Sequence, residues 1–272
     1  MTQLTEIEKY LRADRHTLLS AVLPPPDKSG GMSWLWLPRP GCPMDVCLVS
    51  HIDTVHPPPR KIYHDPRAGV FWAPNGLGAD DRAGVWACME LRRHTGCMVL
   101  LTDGEESGGR GAREATALFH AELSAVKFFI EIDRRGRGEM VFYNRECADF
   151  RSFIGGYGFC EHAGSFSDIS ILSPALGIVG VNLSAGYCNE HAAAEYLVEK
   201  HLLETVAKTK KIITEEKYYG KTWCFDPAPV YPKFGGYYDT GDIPVYYGGR
   251  RKSAPMAGGG RIYQHYRLPG DV

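Results

Sequence analysis

The stretch GLGADDRAGV, Gly76 to Val85, sets two acids side by side where a glycine-rich turn passes into a helix. Carboxylates are favoured in a helix's first turn, because free N–H groups and the helix dipole attract negative charge there. Asp80 and Asp81 can be read as no more than that, and the flanking segments decide. Upstream, DVCLVS reads as a strand. Downstream, DDRAGVWACMELRRH carries Val85, Cys88, Met89 and Leu91 at helical spacing, and CMVLLT reads as a buried strand. The alternation continues: GAREATALFHAEL as a helix, VKFFIEID as a buried strand with EMVFY as its antiparallel neighbour, and GIVGVNL as a late strand. A long helix follows over roughly 193–213. This order predicts an α/β fold, a three-layer sandwich whose mixed, mostly parallel sheet is flanked by helices.

The rest of the chain sets the bounds. Its 272 residues are 44% hydrophobic and carry a formal net charge of −1, which supplies a sizeable core and argues against a nucleic-acid binder or an anionic-membrane binder. The N-terminus has apolar residues at Leu4, Ile7, Leu11, Leu18 and Leu19, broken by charges. It reads as a helix, not a signal peptide or membrane span. Eight cysteines contain no CxxC pair and several sit in apolar runs, which fits a reducing, cytoplasmic setting. From about Lys217 the chain turns rich in Tyr, Gly and Pro. The expected division is a domain over 1–216 and an extension over 217–272. The extension packs on that domain or on a partner chain, with partial disorder as the competing reading.

In open α/β sheets the chemistry gathers at the carboxyl ends of strands. His51 and Asp53 follow the first inner strand, Glu105 and Glu106 the second, Asp133 the third and His191 the last, while Asp80 opens a helix between the first two. Each alone has an ordinary reading as a loop histidine, solvated turn or surface ion pair. Together they place metal-competent side chains at several convergent ends.

HIDTV, GLGADDRAGV, TDGEESGG, EID and a later NEH, in this order, resemble the motifs of the co-catalytic zinc exopeptidases, a superfamily that includes peptidase T, glutamate carboxypeptidases, acylamino-acid deacylases and leucyl-type aminopeptidases. The match runs from about His51 to Glu195. The resemblance implies two divalent metal ions per chain, zinc foremost and manganese or cobalt as alternatives. His51, Asp80 and Asp133 would bind one; Asp80, Glu106 and His191 the other, with Asp80 bridging. Glu105 would be the general base, and Asp53 would fix the tautomer of His51. Such donors suit zinc, a carboxylate behind a ligating histidine is a common support, and paired metals can activate water and polarise a carbonyl.

The chain departs from peptidase T in one respect. Only 57 residues separate Asp133 from His191, too few for an inserted dimerisation domain. GSFSDIS, Gly164 to Ser170, resembles a loop that lines the substrate pocket of single-domain aminopeptidases. Asp168 there reads either as a substrate contact or as a helix cap. Arg82, Arg110, Arg134 and Arg135 all lie near the motifs and could hold a substrate carboxylate. The function implied is a di-zinc aminopeptidase acting on small peptides. The alternatives are a deacylase of N-acyl amino acids or similar small amides, and a binding or structural protein on a retired peptidase fold. A glutaminyl-cyclase-like transferase fits less well. The partners implied are a small peptide or N-acyl amino acid substrate and a homo-oligomer, with no nucleic acid and no membrane.

Overall fold

The computed structural model describes residues 3–42, 45–143, 145–215 and 221–226. The rest of the 217–272 segment lies outside the described residues. The strands are β1 (Lys28–Ser29), β2 (Ser33–Trp36), β3 (Val46–His51), β4 (Tyr63–Asp65), β5 (Val70–Trp72), β6 (Met98–Thr102), β7 (Phe128–Arg134), β8 (Glu139–Val141), β9 (Arg145–Glu146), β10 (Cys160–His162), β11 (Val179–Ser184), β12 (Tyr187–Cys188), β13 (Tyr196–Val198) and β14 (Phe225–Asp226). The helices are α1 (Gln3–Arg12), α2 (Arg15–Thr17), α3 (Ala79–Thr95), α4 (Arg110–Leu118), α5 (His120–Leu123), α6 (Ala148–Gly155), α7 (Ile169–Leu176) and α8 (Glu199–Thr214), with a π-helical turn over Leu18–Val22.

Eight strands form the main sheet in the order β1-β2-β6-β3-β7-β11-β8-β10. Its centre, β6-β3-β7-β11, is parallel, and antiparallel pairings stand toward both edges. β3, β6 and β11 are buried along their whole length, which follows from cover on both faces. Alternate residues part to two cores: Leu48, Phe128 and Ile130 meet α1, α3 and α8, while Val49 and Phe129 meet α4, α5 and α7. The chain is an α/β three-layer sandwich. Gly84 shows how closely α3 lies on the sheet, since a β-carbon there would sit 1.9 Å from the carbonyl oxygen of Ile132. Only glycine fits that approach.

Three local expectations are corrected. EMVFY supplies β8, which pairs with β11 and β10, not with β7. The long helix starts at Glu199 rather than near Ala193, because Tyr196–Val198, aromatic and β-branched, pairs with β5 instead. GAREATALFHAEL splits at Phe119 into α4 and α5. A second sheet, β12-β13-β5-β4, lies outside the sequence reading. At the far end of the described chain, Trp223 packs its ring against Phe128, Phe150 and Phe153, each centroid 5.2 Å away.

Candidate metal and catalytic site

His51 closes β3 with its side chain 1% exposed. Its Nδ1 lies 3.0 Å from the backbone carbonyl of Asp53 and 3.3 Å from Asp53 Oδ1. With that nitrogen carrying the proton, Nε2 faces inward as a lone pair. The Asp53 carboxylate also accepts the backbone N–H groups of Glu105 and Glu106, each at 3.2 Å. One side chain thus locks the loop after β3 to the loop after β6.

Asp80 and Asp81 are not helical, having φ/ψ of −80°/102° and −117°/38°, and a cis peptide bond joins them. The kink turns them opposite ways. Asp81 is fully buried, accepting the Ser50 hydroxyl and the Gly84 N–H, the latter at 3.0 Å. It caps the helix proper. Asp80 turns to the cleft, where Oδ1 lies 3.3 Å from His51 Nε2 and Oδ2 lies 3.2 Å from His191 Nε2. Asp133 Oδ1 is also 3.3 Å from His51 Nε2 and accepts the Tyr187 hydroxyl at 3.0 Å. Glu106 Oε1 stands 2.9 Å from His191 Nε2, and Glu105 Oε2 is 3.9 Å from His51 Nε2.

These atoms form overlapping groups able to hold a cation: His51, Asp80 and Asp133; Asp80, Glu106 and His191; and also His51, Glu105 and Glu106. The fit to a divalent metal has one specific test. His51 Nε2 is buried and makes no hydrogen bond, although two carboxylate oxygens flank it at 3.3 Å. A buried imidazole nitrogen without a partner costs free energy. Imidazole and carboxylate together are a donor set that suits zinc, so the residues fit the group.

The electrostatics follow from crowding. Burial and the repulsion of Asp133, Asp168 and Glu106 raise the Glu105 carboxyl above its ordinary range, against the opposing pull of His51. For His51, burial acts downward, but Asp133, Asp53 and Asp80 outweigh it and hold the ring well above the usual histidine range. Without a cation, Nε2 therefore draws a proton in the field of its carboxylate neighbours, and a bound divalent ion would take that proton's place. Burial acts upward on Asp53, yet its bonds to His51 and to the backbone N–H groups bring it down to about 2.

Asp168 stands at the start of α7, yet its side chain makes no capping bond. It is fully buried and accepts the Thr102 hydroxyl behind the cleft, whose lining includes neighbouring Phe166 but not Asp168. Two supports escaped the sequence reading. Glu195, 1% exposed, accepts the N–H groups of Leu77, Gly78 and Asp80 at 3.0, 2.6 and 2.9 Å. Glu131, fully buried, accepts the Ser167 hydroxyl, which also points to Asp133 at 3.3 Å. A lone acid inside the apolar run FFIEI was its available signal. His191 sits at φ 62°, a left-handed conformation uncommon outside glycine and the kind of strain found at functional sites.

No protein-family model matches the chain, and no curated protein matches it. Solved structures do. The aminopeptidase PepT from Bacillus cereus superposes with a TM-score of 0.52 at 16% identity, covering 78% of this chain and 91% of that one. The TET1 peptidase of Pyrococcus horikoshii gives 0.56 at 12% identity, covering 79% and 100%. The chain shares the fold of these two peptidases. Within that fold the cluster described above lies at the carboxyl ends of β3, β6 and β7. A glutaminyl cyclase from Porphyromonas gingivalis is similar at a TM-score of 0.48 and 15% identity, over 68% of this chain and 78% of that one. Among the described residues, no helix is long and apolar enough to cross a membrane.

Proposed function

We propose that the chain is a metal-dependent exopeptidase, and specifically a di-zinc aminopeptidase that hydrolyses small peptides. One observation carries this reading: the two oxygens of Asp80 face two different histidines, His51 at 3.3 Å and His191 at 3.2 Å. Two divalent ions, one held by His51, Asp80 and Asp133 and one by Asp80, Glu106 and His191, would supply Lewis-acid polarisation of the scissile carbonyl and of water. Zinc suits these donors best, with manganese and cobalt acceptable to the same set.

The chain's own residues do the rest. Asp53 holds the tautomer that leaves His51 Nε2 as a donor atom, and holds the backbone of both glutamates. Glu105, outside both ligand triads, takes a proton from the attacking water and returns it to the leaving amine. Its burial and its acidic neighbours favour holding that proton. In this reading residues 1–216 are the catalytic domain and 217–272 an extension. Self-association, which the TET1 peptidase carries to a tetrahedron or an octahedral shell, would add walls to the cleft.

The test is metal content of protein purified without chelator, followed by turnover of aminoacyl-anilides, dipeptides and N-acetyl amino acids. Two metals per chain and cleavage of substrates with a free amino group are expected. Cleavage of N-acetyl amino acids alone would make the chain a deacylase. Failure to bind metal even after its addition would leave a binding protein.

A further inference from the structure

A cavity of about 470 Å³ lies between α1 and the part of α3 that leads away from Asp80. Among the described residues it shares none of its lining with the catalytic cleft. Its volume falls in the range of small-molecule pockets. Tyr10 of α1, Trp86 and Met89 of α3, Pro24, and Arg39 from the loop after β2 all line it. Three of these residues carry donors that have no partner among the described residues. Trp86 is 4% exposed, and its indole N–H makes no hydrogen bond. Trp36 shows the ordinary arrangement: also buried, it donates Nε1 to the Pro24 carbonyl at 3.2 Å. Buried indoles usually find such a partner. The Tyr10 hydroxyl makes no hydrogen bond either. Burial, with Glu6 and Glu90 nearby, pushes it up to about 12, so it keeps its proton.

The third donor is Arg39. Its backbone N–H donates to the Gly96 carbonyl at 2.8 Å, which ties the loop to the end of α3. Its guanidinium forms no ion pair or hydrogen bond among the described residues. The other charges around the cavity are matched. Glu6 meets Lys9 at 2.7 Å, and Glu90 meets Arg93 at 2.7 Å and His94 at 3.0 Å. Arg92 donates Nη1 to the carbonyls of Leu37 and Cys97, at 2.6 and 2.7 Å, and its Nη2 lies 3.8 Å from Asp27. The unmatched charge is therefore positive, and it stands beside unpartnered donors. Such a set selects an anion that also carries acceptor atoms, and guanidinium matches carboxylate and phosphate oxygens. Pro24, Met89 and the Tyr10 ring offer the rest of the molecule apolar and aromatic surface.

We propose that this cavity binds a small aromatic anion, a flat ring carrying a carboxylate or a phosphate monoester, with the anionic group on Arg39 and an acceptor atom on the Trp86 N–H. The site is separate from the cleft and does not depend on what reaction the cleft performs. Calorimetry on the full metal-loaded chain tests it with two pairs of probes: adenosine 5′-monophosphate against adenosine, and indole-3-acetate against indole-3-acetamide. At least one anion should bind at one site per chain, roughly 10–100-fold more tightly than its neutral counterpart, as expected for a charge-assisted bond. The pair that shows the preference distinguishes a phosphate ester from a carboxylate. Arg39→Gln, at an exposed position, should erase the preference. Trp86→Phe keeps an aromatic ring but removes the N–H, and should weaken the anion and its neutral counterpart alike, by roughly 3–10-fold. His191→Ala, at the rim of the metal site, should leave binding unchanged. The site is overturned by absence of saturable binding, by equal binding of anion and neutral counterpart, or by a preference that survives Arg39→Gln. Binding that disappears with His191→Ala also overturns it, since the anion then sits on the metals.

Discussion

The two proposed ligand triads share Asp80 yet sit in different surroundings. His51 and Asp133 have side chains 1% and 7% exposed, braced by Asp53, Tyr187 and Ser167. His191 has a side chain 51% exposed, in a left-handed turn. One triad is built into the sheet and the other is assembled at the rim from a loop. The inner group is therefore expected to hold its geometry regardless of occupancy, and the outer one to yield first.

The largest effect should come from Asp80→Ala. It removes the residue common to both triads, so metal content should fall below one per chain and turnover below detection. A variant that keeps two metals would break the bridging assignment. Next comes Glu105→Gln, which keeps shape and hydrogen bonding but cannot carry a proton. Turnover should fall roughly 10²–10⁴-fold with metal content unchanged. If that variant instead loses metal and recovers activity with excess zinc, the roles of Glu105 and Glu106 are exchanged, an assignment the group of His51, Glu105 and Glu106 also permits.

Chelator titration tells the buried group from the exposed one. Two steps are expected, and His191→Ala should abolish the first while leaving the second in place. His51→Ala should remove the tighter step. Release of both metals in one step from the parent protein would show that exposure does not separate the sites. The smallest effect concerns acid. The Asp53 carboxyl is lowered from 3.8 to about 2, so its stabilising contribution is full above about 4 and is lost as pH falls through 2. Urea midpoints of metal-free protein should therefore decline less steeply between pH 4 and 3 in Asp53→Asn than in the parent. Parallel curves would show that Asp53 is not held as an anion.

Much of this was legible. His51, Glu106, Asp133 and His191 follow apolar runs whose strand character is local, and the fold gathers them because parallel strands end on one side. What failed was pairing and partnership at a distance. Tyr196–Val198 fits a helical pattern when read alone, and only its ladder with Phe71 and Trp72 makes it a strand. EMVFY follows β7 in sequence, but β11 inserts between them in the sheet. Asp168 invited two local readings, while its actual partner is Thr102, 66 residues away. The bridging role proposed for Asp80 came from resemblance alone, since no spacing encodes which carboxylate oxygen meets which histidine.

Glu195 has a mechanical consequence. Its carboxylate fastens the turn that ends at Asp80, and it lies four residues beyond His191 on the same loop. The loop that bears His191 is thereby moored to a turn that Asp81 fixes to β3 through Ser50. His191 stands on the short span between that mooring and β12. Motion at the rim is therefore expected to shift His191 against Asp80 and Glu106 while His51 and Asp133 stay in place.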